Sequence, residues 1–371
     1  MSTDRTLFAS IKRVVVKVGT SQLTDEKNMV VPERVKNIAA QLAELHRNGK
    51  EVLLVTSGAV GLGLGIIGSS VYPKTLSERQ ALAAMGQSRL MHMYETSFAK
   101  YGLRIGQVIL TAQDIHTRER YINVRNTFLK LLEYDAVPII NENDTVSVEE
   151  IKFGDNDTLS ANVALCSDAD LLIILTDTDG LFDKNPKLHK DATRIATVKK
   201  IDASLETLAT GTDKVTAIGG MTTKLAAARI ATHAGIAMVI ACGYEENIIP
   251  RILSGEDKGT YFVPSARGLS LKKRWFAHTR KKKGSIIIDD GCRDALVKRG
   301  KSILPVGVRE VKGLFDKGDS ITVYDLTGKI VGVGLSSYSS KEASLFAGQK
   351  FKDEIIHRDN FVLNPQYGDK L

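Results

Sequence analysis

The sequence predicts an α/β protein, a three-layer αβα sandwich around a mainly parallel sheet, followed by a small β-barrel-like domain. Three observations carry this. Apolar strand-like runs alternate with segments of helical periodicity across the first two thirds of the 371 residues. The runs are nearly continuously apolar, as strands covered on both faces are, and they end in polar residues. After Gly268 the alternation fades into short β-like pieces punctuated by Asp-Gly, Lys-Gly and Thr-Gly. The chain is also longer than one hydrophobic core usually grows. The expected division is 1–270, a basic linker over 271–283, and a second domain over 284–371.

The first strand is VVVKVG, Val14 to Gly19, and a helix follows from Pro32, a residue suited to a first helical position, to Arg47. EVLLVTSG, Glu51 to Gly58, is the second strand. Leu76 to Lys100 is helical, IGQVILT (Ile105 to Thr111) extended, and Arg118 to Glu133 helical. AVPIINEND (Ala136 to Asp144) and ADLLIILTD (Ala169 to Asp177) flank a helix over Thr158 to Ser167. A helix over Thr222 to Ala234 and a strand AMVIACG (Ala237 to Gly243) complete the pattern. In an open sheet of this kind ligands bind beyond the carboxyl ends of the strands. Those ends supply Lys17-Val-Gly-Thr, Thr56-Ser57-Gly58, Thr111, Asn141-Glu-Asn-Asp144 and Thr176-Asp177.

Apolar residues make up 43% and charged residues 25%, which excludes the disordered and membrane-embedded classes. The longest aliphatic run, Leu171 to Leu175, is far too short to span a bilayer. No export signal is read before Lys17, and Cys166, Cys242 and Cys292 are odd in number and scattered, so a cytoplasmic protein with reduced thiols is expected. The seven histidines show no paired metal-ligand spacing. Residues 268–371 hold 20 Lys+Arg against 12 Asp+Glu, whereas the preceding part holds 31 of each. The whole formal charge of +8 therefore belongs to the C-terminal part, which fits a polyanionic partner or a solvated basic face.

VTSGAVGLGLGIIG contains a literal G-x-G-x-x-G at Gly63, Gly65 and Gly68. A dinucleotide fingerprint needs its first glycine at the strand-to-helix turn and an acidic residue about 20 positions on; neither is present. Thr56-Ser57-Gly58-Ala59 is the more informative stretch, reading equally as an ordinary turn or as backbone N–H groups arranged for a carboxylate or phosphate. Three further features bear on that choice. Lys17 precedes the strand-ending Gly19, where its ammonium can lie over the turn. Lys224 falls in the first turn of a helix opened by Gly219-Gly220, a position the helix dipole disfavours for a cation unless an anion neutralises it. Asp155-Asn156-Asp157 crowds the start of another helix, where Asp157 alone would suffice as N-cap.

These segments resemble the amino acid kinase family, in the branch with a C-terminal PUA domain. The likeness is carried by VVVKVGTSQLT, VTSGAVGLG, ALAAMGQSRLM, IINENDTVSVEEIKFGDNDTLSA, LLIILTDTDGLFDKNP, GGMTTKLAAARIA and KRWF, in order from residue 14 to about 276. INEND with FGDND is the most specific pair. The resemblance implies ATP-dependent phosphorylation of the side-chain carboxylate of L-glutamate to γ-glutamyl phosphate, the first step of proline biosynthesis. It implies Lys17 and Lys224 as the catalytic cations, with Asp157 holding them. Ser57, Gly58, Asp144 and Asn156 are implied as glutamate contacts. Lys17, Thr176, Asp177, Gly219, Gly220, Met221, Thr222, Thr223 and Lys224 are implied at the nucleotide, with Mg²⁺ on the ATP phosphates and no protein ligand nominated. A homo-oligomer (dimer or tetramer), proline as feedback inhibitor acting through Val146 to Gly154, and a downstream γ-glutamyl phosphate reductase come with the resemblance. Ala217-Ile218 depart from the family's usual Gly-Thr before Gly219, and the segment from Ser340 to Leu371 is shorter than usual.

Two alternatives stand beside this reading. One is a sister kinase acting on aspartate, N-acetylglutamate, carbamate or a nucleoside monophosphate. The other is RNA binding by the C-terminal domain through Lys272, Lys273, Arg274 and Lys281 to Lys283, with Trp275 and Phe276 interleaved.

Overall fold

The structure, a computed structural model, describes residues 5, 8, 10–26, 29–69, 71–146, 156–186, 188–202, 205, 220–265, 283–350, 353–364 and 367. The chain divides into two compact units, Met1–Gly268 and Leu269–Leu371. The predicted linker over 271–283 lies, apart from Lys283, outside the described residues.

The larger unit runs β1 (Arg13–Val18), α1 (Thr20–Leu23), α2 (Pro32–Arg47), β2 (Glu51–Val55), α3 (Ala59–Ile66), α4 (Leu76–Ala99), β3 (Arg104–Leu110), α5 (Ala112–His116), α6 (Arg118–Glu133) and β4 (Ala136–Glu142). It continues with α7 (Asn156–Ser167), β5 (Leu171–Thr176), β6 (Thr197–Val198), α8 (Met221–His233), β7 (Ala237–Cys242), α9 (Ile248–Leu253) and β8 (Thr260–Phe262). The strands form one sheet in the order β3-β4-β2-β1-β5-β7-β8-β6. Pairing is parallel from β3 through β7, and β8 turns antiparallel against β7. Because strand side chains alternate, the two faces of β1 separate cleanly. Val14, Val16 and Val18 join one core with Ile38 and Leu42 of α2 and Leu90 and Tyr94 of α4. Val15 and Lys17 fall on the other face, where α7 packs against β1. Both faces are thus covered, and every β1 residue after Arg13 is buried.

The glycine-rich stretch forms a helix, α3, which the sequence reading had passed over. Five glycines within eleven residues argue against a helix by propensity; tight packing against α4 overrides it. A Cβ on Gly63 would lie 2.1 Å from the Leu82 carbonyl oxygen, and one on Gly86 would lie 1.8 Å from that of Ala59. Gly63 and Gly86 therefore let two helix backbones touch, whereas a Cβ on Gly65 would meet the Met29 side chain and Gly68 faces open space. No helix among the described residues is long and apolar enough to cross a membrane.

The smaller unit contains β9 (Gly284–Ile288), α10 (Asp290–Arg299), β10 (Val308–Gly313), β11 (Ser320–Tyr324), β12 (Ile330–Leu335), α11 (Ser340–Phe346) and β13 (Phe361–Leu363). Its sheet runs β10-β9-β11-β12-β13, antiparallel except for β9 against β11. Ile286, Ile288, Ile321, Val323, Ile355 and Phe361 are among its core residues. Asp290-Gly291, expected to be a turn, instead opens α10. The reason is Asp289, whose carboxylate accepts the Cys292 N–H at 2.8 Å as an N-cap.

Candidate active site

Two polar clusters meet at the carboxyl ends of β1, β2 and β4, joined by consecutive residues at the start of α7. The first is ionic. Lys17, the fifth residue of β1, extends on the α7 face, and its Nζ lies 2.7 Å from Asp157 Oδ1. Lys224 reaches the same carboxylate from the first turn of α8, with Nζ 3.1 Å from Oδ2. Thr223 Oγ1 donates to Oδ2 at 2.9 Å. The carboxylate is fully buried and neither lysine side chain is more than 8% exposed. Two ammonium groups are thus drawn to one carboxylate where water is largely excluded. Such an arrangement attracts a further anion.

The expected N-cap role of Asp157 is corrected by this arrangement. Helix α7 opens at Asn156, so Asp157 sits inside its first turn with its carboxylate turned to the lysines. Among the described residues this carboxylate is an anion that offsets Lys224 against the helix dipole.

The second cluster is neutral. Strand β2 ends at Val55, and Gly58 adopts φ +102° to start α3, a conformation that favours glycine. Asn156 Nδ2 donates to the Thr56 carbonyl at 2.7 Å, to Ser57 Oγ at 2.7 Å and to Asn141 Oδ1 at 3.2 Å. Asn141, near the end of β4, donates through Nδ2 to Gln87 Oε1 of α4 at 2.8 Å. On the other side of the turn the hydroxyls of Thr56 and Tyr94 are 2.8 Å apart. Burial raises the Tyr94 phenol well above its ordinary range, so it remains a neutral hydroxyl.

The predicted residues are distributed unevenly over these clusters. Lys17, Asp157, Thr223 and Lys224 come together in the first, and Ser57 and Asn156 in the second. Gly58 shapes the turn beside them. Asp144 follows in the turn after β4, half-buried. Thr176 ends β5, and its hydroxyl donates to Asp177 Oδ1 at 3.2 Å. Gly220 caps α8, with Met221 and Thr222 in its first turn; Gly219 and Ala217-Ile218 lie outside the described residues. Asn141, Gln87 and Tyr94 were not singled out as site residues from sequence. The signal that could have found Gln87 and Tyr94 is their spacing of seven, which places both on one face of α4. Among the described residues no group of three His, Cys, Asp or Glu side chains could hold a metal ion. Asp157 is committed to two lysines, so a metal here would have to arrive with an anionic ligand.

A parallel sheet that presents two buried ammonium groups and a polar turn beyond its strand ends defines a phosphoryl-transfer class. The chain belongs to the amino acid kinase family, whose model matches residues 12–242, and the PUA domain model matches residues 284–357. Its relatives along nearly the whole length are named glutamate 5-kinase. That of Caldanaerobacter subterraneus subsp. tengcongensis is 45% identical over 362 residues, covering 95% of this chain and 97% of the relative. That of Marinomonas sp. is 45% identical over 370 residues, covering 97% and 99%. Among solved structures, carbamate kinase from Giardia lamblia aligns with a TM-score of 0.50 at 15% identity, covering 69% of this chain and all of that one. At that identity it speaks for the fold alone.

Proposed function

We propose that the protein is a glutamate 5-kinase, transferring the γ-phosphoryl group of ATP to the side-chain carboxylate of L-glutamate and so opening proline biosynthesis. The observation that carries this reading is the convergence of Lys17 and Lys224 on Asp157, one residue from Asn156 and its bond to Ser57. A carboxylate nucleophile is already ionised near neutral pH, so the reaction needs no general base. It needs two anions brought together and compensation for the charge on the moving phosphoryl group. Lys17 and Lys224 supply that compensation, and Asp157 positions both. The Ser57-Gly58 turn and Asn156 receive the glutamate, and Asp144 is suited to its α-ammonium. Thr176, Asp177 and Gly219 to Lys224 receive the nucleotide, which enters as its Mg²⁺ complex with the metal on the phosphates.

The finer expectations follow from the same reading. The catalytic domain is 1–270 and the PUA domain 284–371. The enzyme works in the cytoplasm as a homo-oligomer, is inhibited by proline through residues 146–154, and hands its product to a γ-glutamyl phosphate reductase. Of that segment only Val146 lies among the described residues. The test is ADP release and hydroxylamine trapping with glutamate, aspartate, N-acetylglutamate, carbamate and UMP as acceptors. A hydroxamate formed with glutamate and no ADP release with the others is expected; release with another acceptor and none with glutamate would overturn the reading.

A second reading, RNA binding by the smaller unit, is favoured by one observation. A cavity of about 720 Å³ there is lined by four cations, Arg299, Lys301, Arg309 and Arg358, against two carboxylates, Asp289 and Glu354, with Asp289 paired to Arg309. Filter binding of RNA that weakens steeply with salt is the expected sign; no retention at low salt would remove it.

A further inference from the structure

The amide of Gln87 has a defined orientation. The Glu142 backbone N–H donates to Asn141 Oδ1 at 2.9 Å, so Asn141 must turn its Nδ2 the other way. That nitrogen donates to Gln87 Oε1. Gln87 Oε1 is thereby committed, and Nε2 points away from Asn141. It is shut off from solvent and finds no acceptor among the described residues. A buried amide nitrogen with two idle N–H groups is costly, and natural sites rarely keep one without a ligand or a water to receive it.

The position of Gln87 follows from the packing of its helix. Gly86, immediately before it, permits the backbone contact with Ala59, which brings α4 against the start of α3 beside the Ser57-Gly58 turn. Two turns further along the same face Tyr94 reaches Thr56. Tyr94 thus bonds to the acceptor turn, and Gln87 is linked through the Asn141 amide to that of Asn156, the residue before Asp157, which holds the lysine pair.

We propose that Gln87 is a specificity-determining residue of the acceptor pocket. Its Oε1 fixes Asn141, and its Nε2 donates to the non-reacting carboxylate of the amino-diacid acceptor. This rests on the phosphotransfer reading above and adds a contact that it does not contain. The reacting carboxylate belongs beside the ammonium groups, whereas Gln87 is separated from them by two amides; the group it meets is the other end of the substrate. A contact to a non-reacting group made equally in ground and transition states raises KM when lost and leaves kcat nearly unchanged.

The experiment compares the full-length protein with Gln87→Glu and Gln87→Leu, using L-glutamate and L-isoglutamine, whose α-carboxamide offers N–H donors in place of the carboxylate. Gln87→Leu should raise KM for glutamate about ten- to a hundredfold, the range for losing a hydrogen bond to a charged group. Gln87→Glu keeps an oxygen for Asn141 and places a negative charge before the substrate, so its KM should rise further. In both, kcat and KM for ATP should stay within about threefold. Gln87→Glu should also narrow the preference for glutamate over isoglutamine at least tenfold, which a merely structural role for Gln87 would not do. Active wild type with both variants retaining KM for glutamate within twofold would overturn the assignment of Gln87 alone. Wild type that releases no ADP with glutamate would instead overturn the reading beneath it.

Discussion

Asp157 is a buried anion paired with two buried cations, and this asymmetry sets what each substitution does. Asp157→Ala removes the carboxylate that Lys17 and Lys224 share. A loss of about 3–5 kcal/mol is expected for breaking a buried ionic cluster from that side, measured by urea unfolding. Lys224→Ala leaves Asp157 still paired with Lys17, so stability should change little while turnover falls about a hundredfold or more. Comparable activity in that variant would refute the role given to Lys224. Tyr94→Phe removes a buried hydroxyl contact to Thr56 and should cost about 1 kcal/mol, read from the same unfolding curves. Lys17 and Lys224 were legible in the sequence because each sits where a cation needs a reason: ahead of a glycine turn, and at the start of a helix. Asn141 was legible only as one of several polar residues at a strand end, and Gln87 and Tyr94 were not, because polar groups on long helices are usually solvated and only the fold shows these turned inward.

At the scale of elements, the contact of α3 with α4 depends on missing side chains. Gly86→Ala places a Cβ against the Ala59 carbonyl and Gly63→Ala places one against that of Leu82. Each should lower stability by about 1–3 kcal/mol and raise KM for glutamate, since α3 begins at the acceptor turn. Gly68→Ala is the control; it has φ +68° but open space around it, and should cost only about 1 kcal/mol without altering KM. If the control were as damaging as the other two, packing would not be the cause. The strands and long helices were readable from periodicity, and the bounds of α2 and α6 coincide with those expected. Helix α3 was hidden because propensity opposes it and only a tertiary contact rescues it. Helix α10 was hidden because Asp-Gly favours turns, until Asp289 supplies a cap.

At the scale of the whole molecule, the smaller unit carries an acid-sensitive element of its own. In the smaller one Asp325 organises the turn from β11 to β12 and accepts the Tyr367 hydroxyl at 2.5 Å. Burial alone would raise its pKa, but the hydrogen bonds from Thr327, Tyr367 and the Lys329 and Thr327 backbone outweigh it and hold the carboxyl at about 2. A carboxyl depressed in the folded state contributes fully above its unfolded value near 4 and loses that contribution as pH falls toward 2. The stability gap between wild type and Asp325→Asn should therefore be roughly 2 kcal/mol at pH 6 and close between pH 4 and 2, measured by thermal melts. A gap independent of pH would refute the assignment. The strand order of the larger unit has a consequence for its birth on the ribosome. β1 is made first yet lies in the interior, between β2 and a strand, β5, that begins only at Leu171. At translation speeds its valine-rich flank waits on the order of ten seconds for its second neighbour. Slower translation should lengthen that wait, during which extended apolar backbone stays open to aggregation.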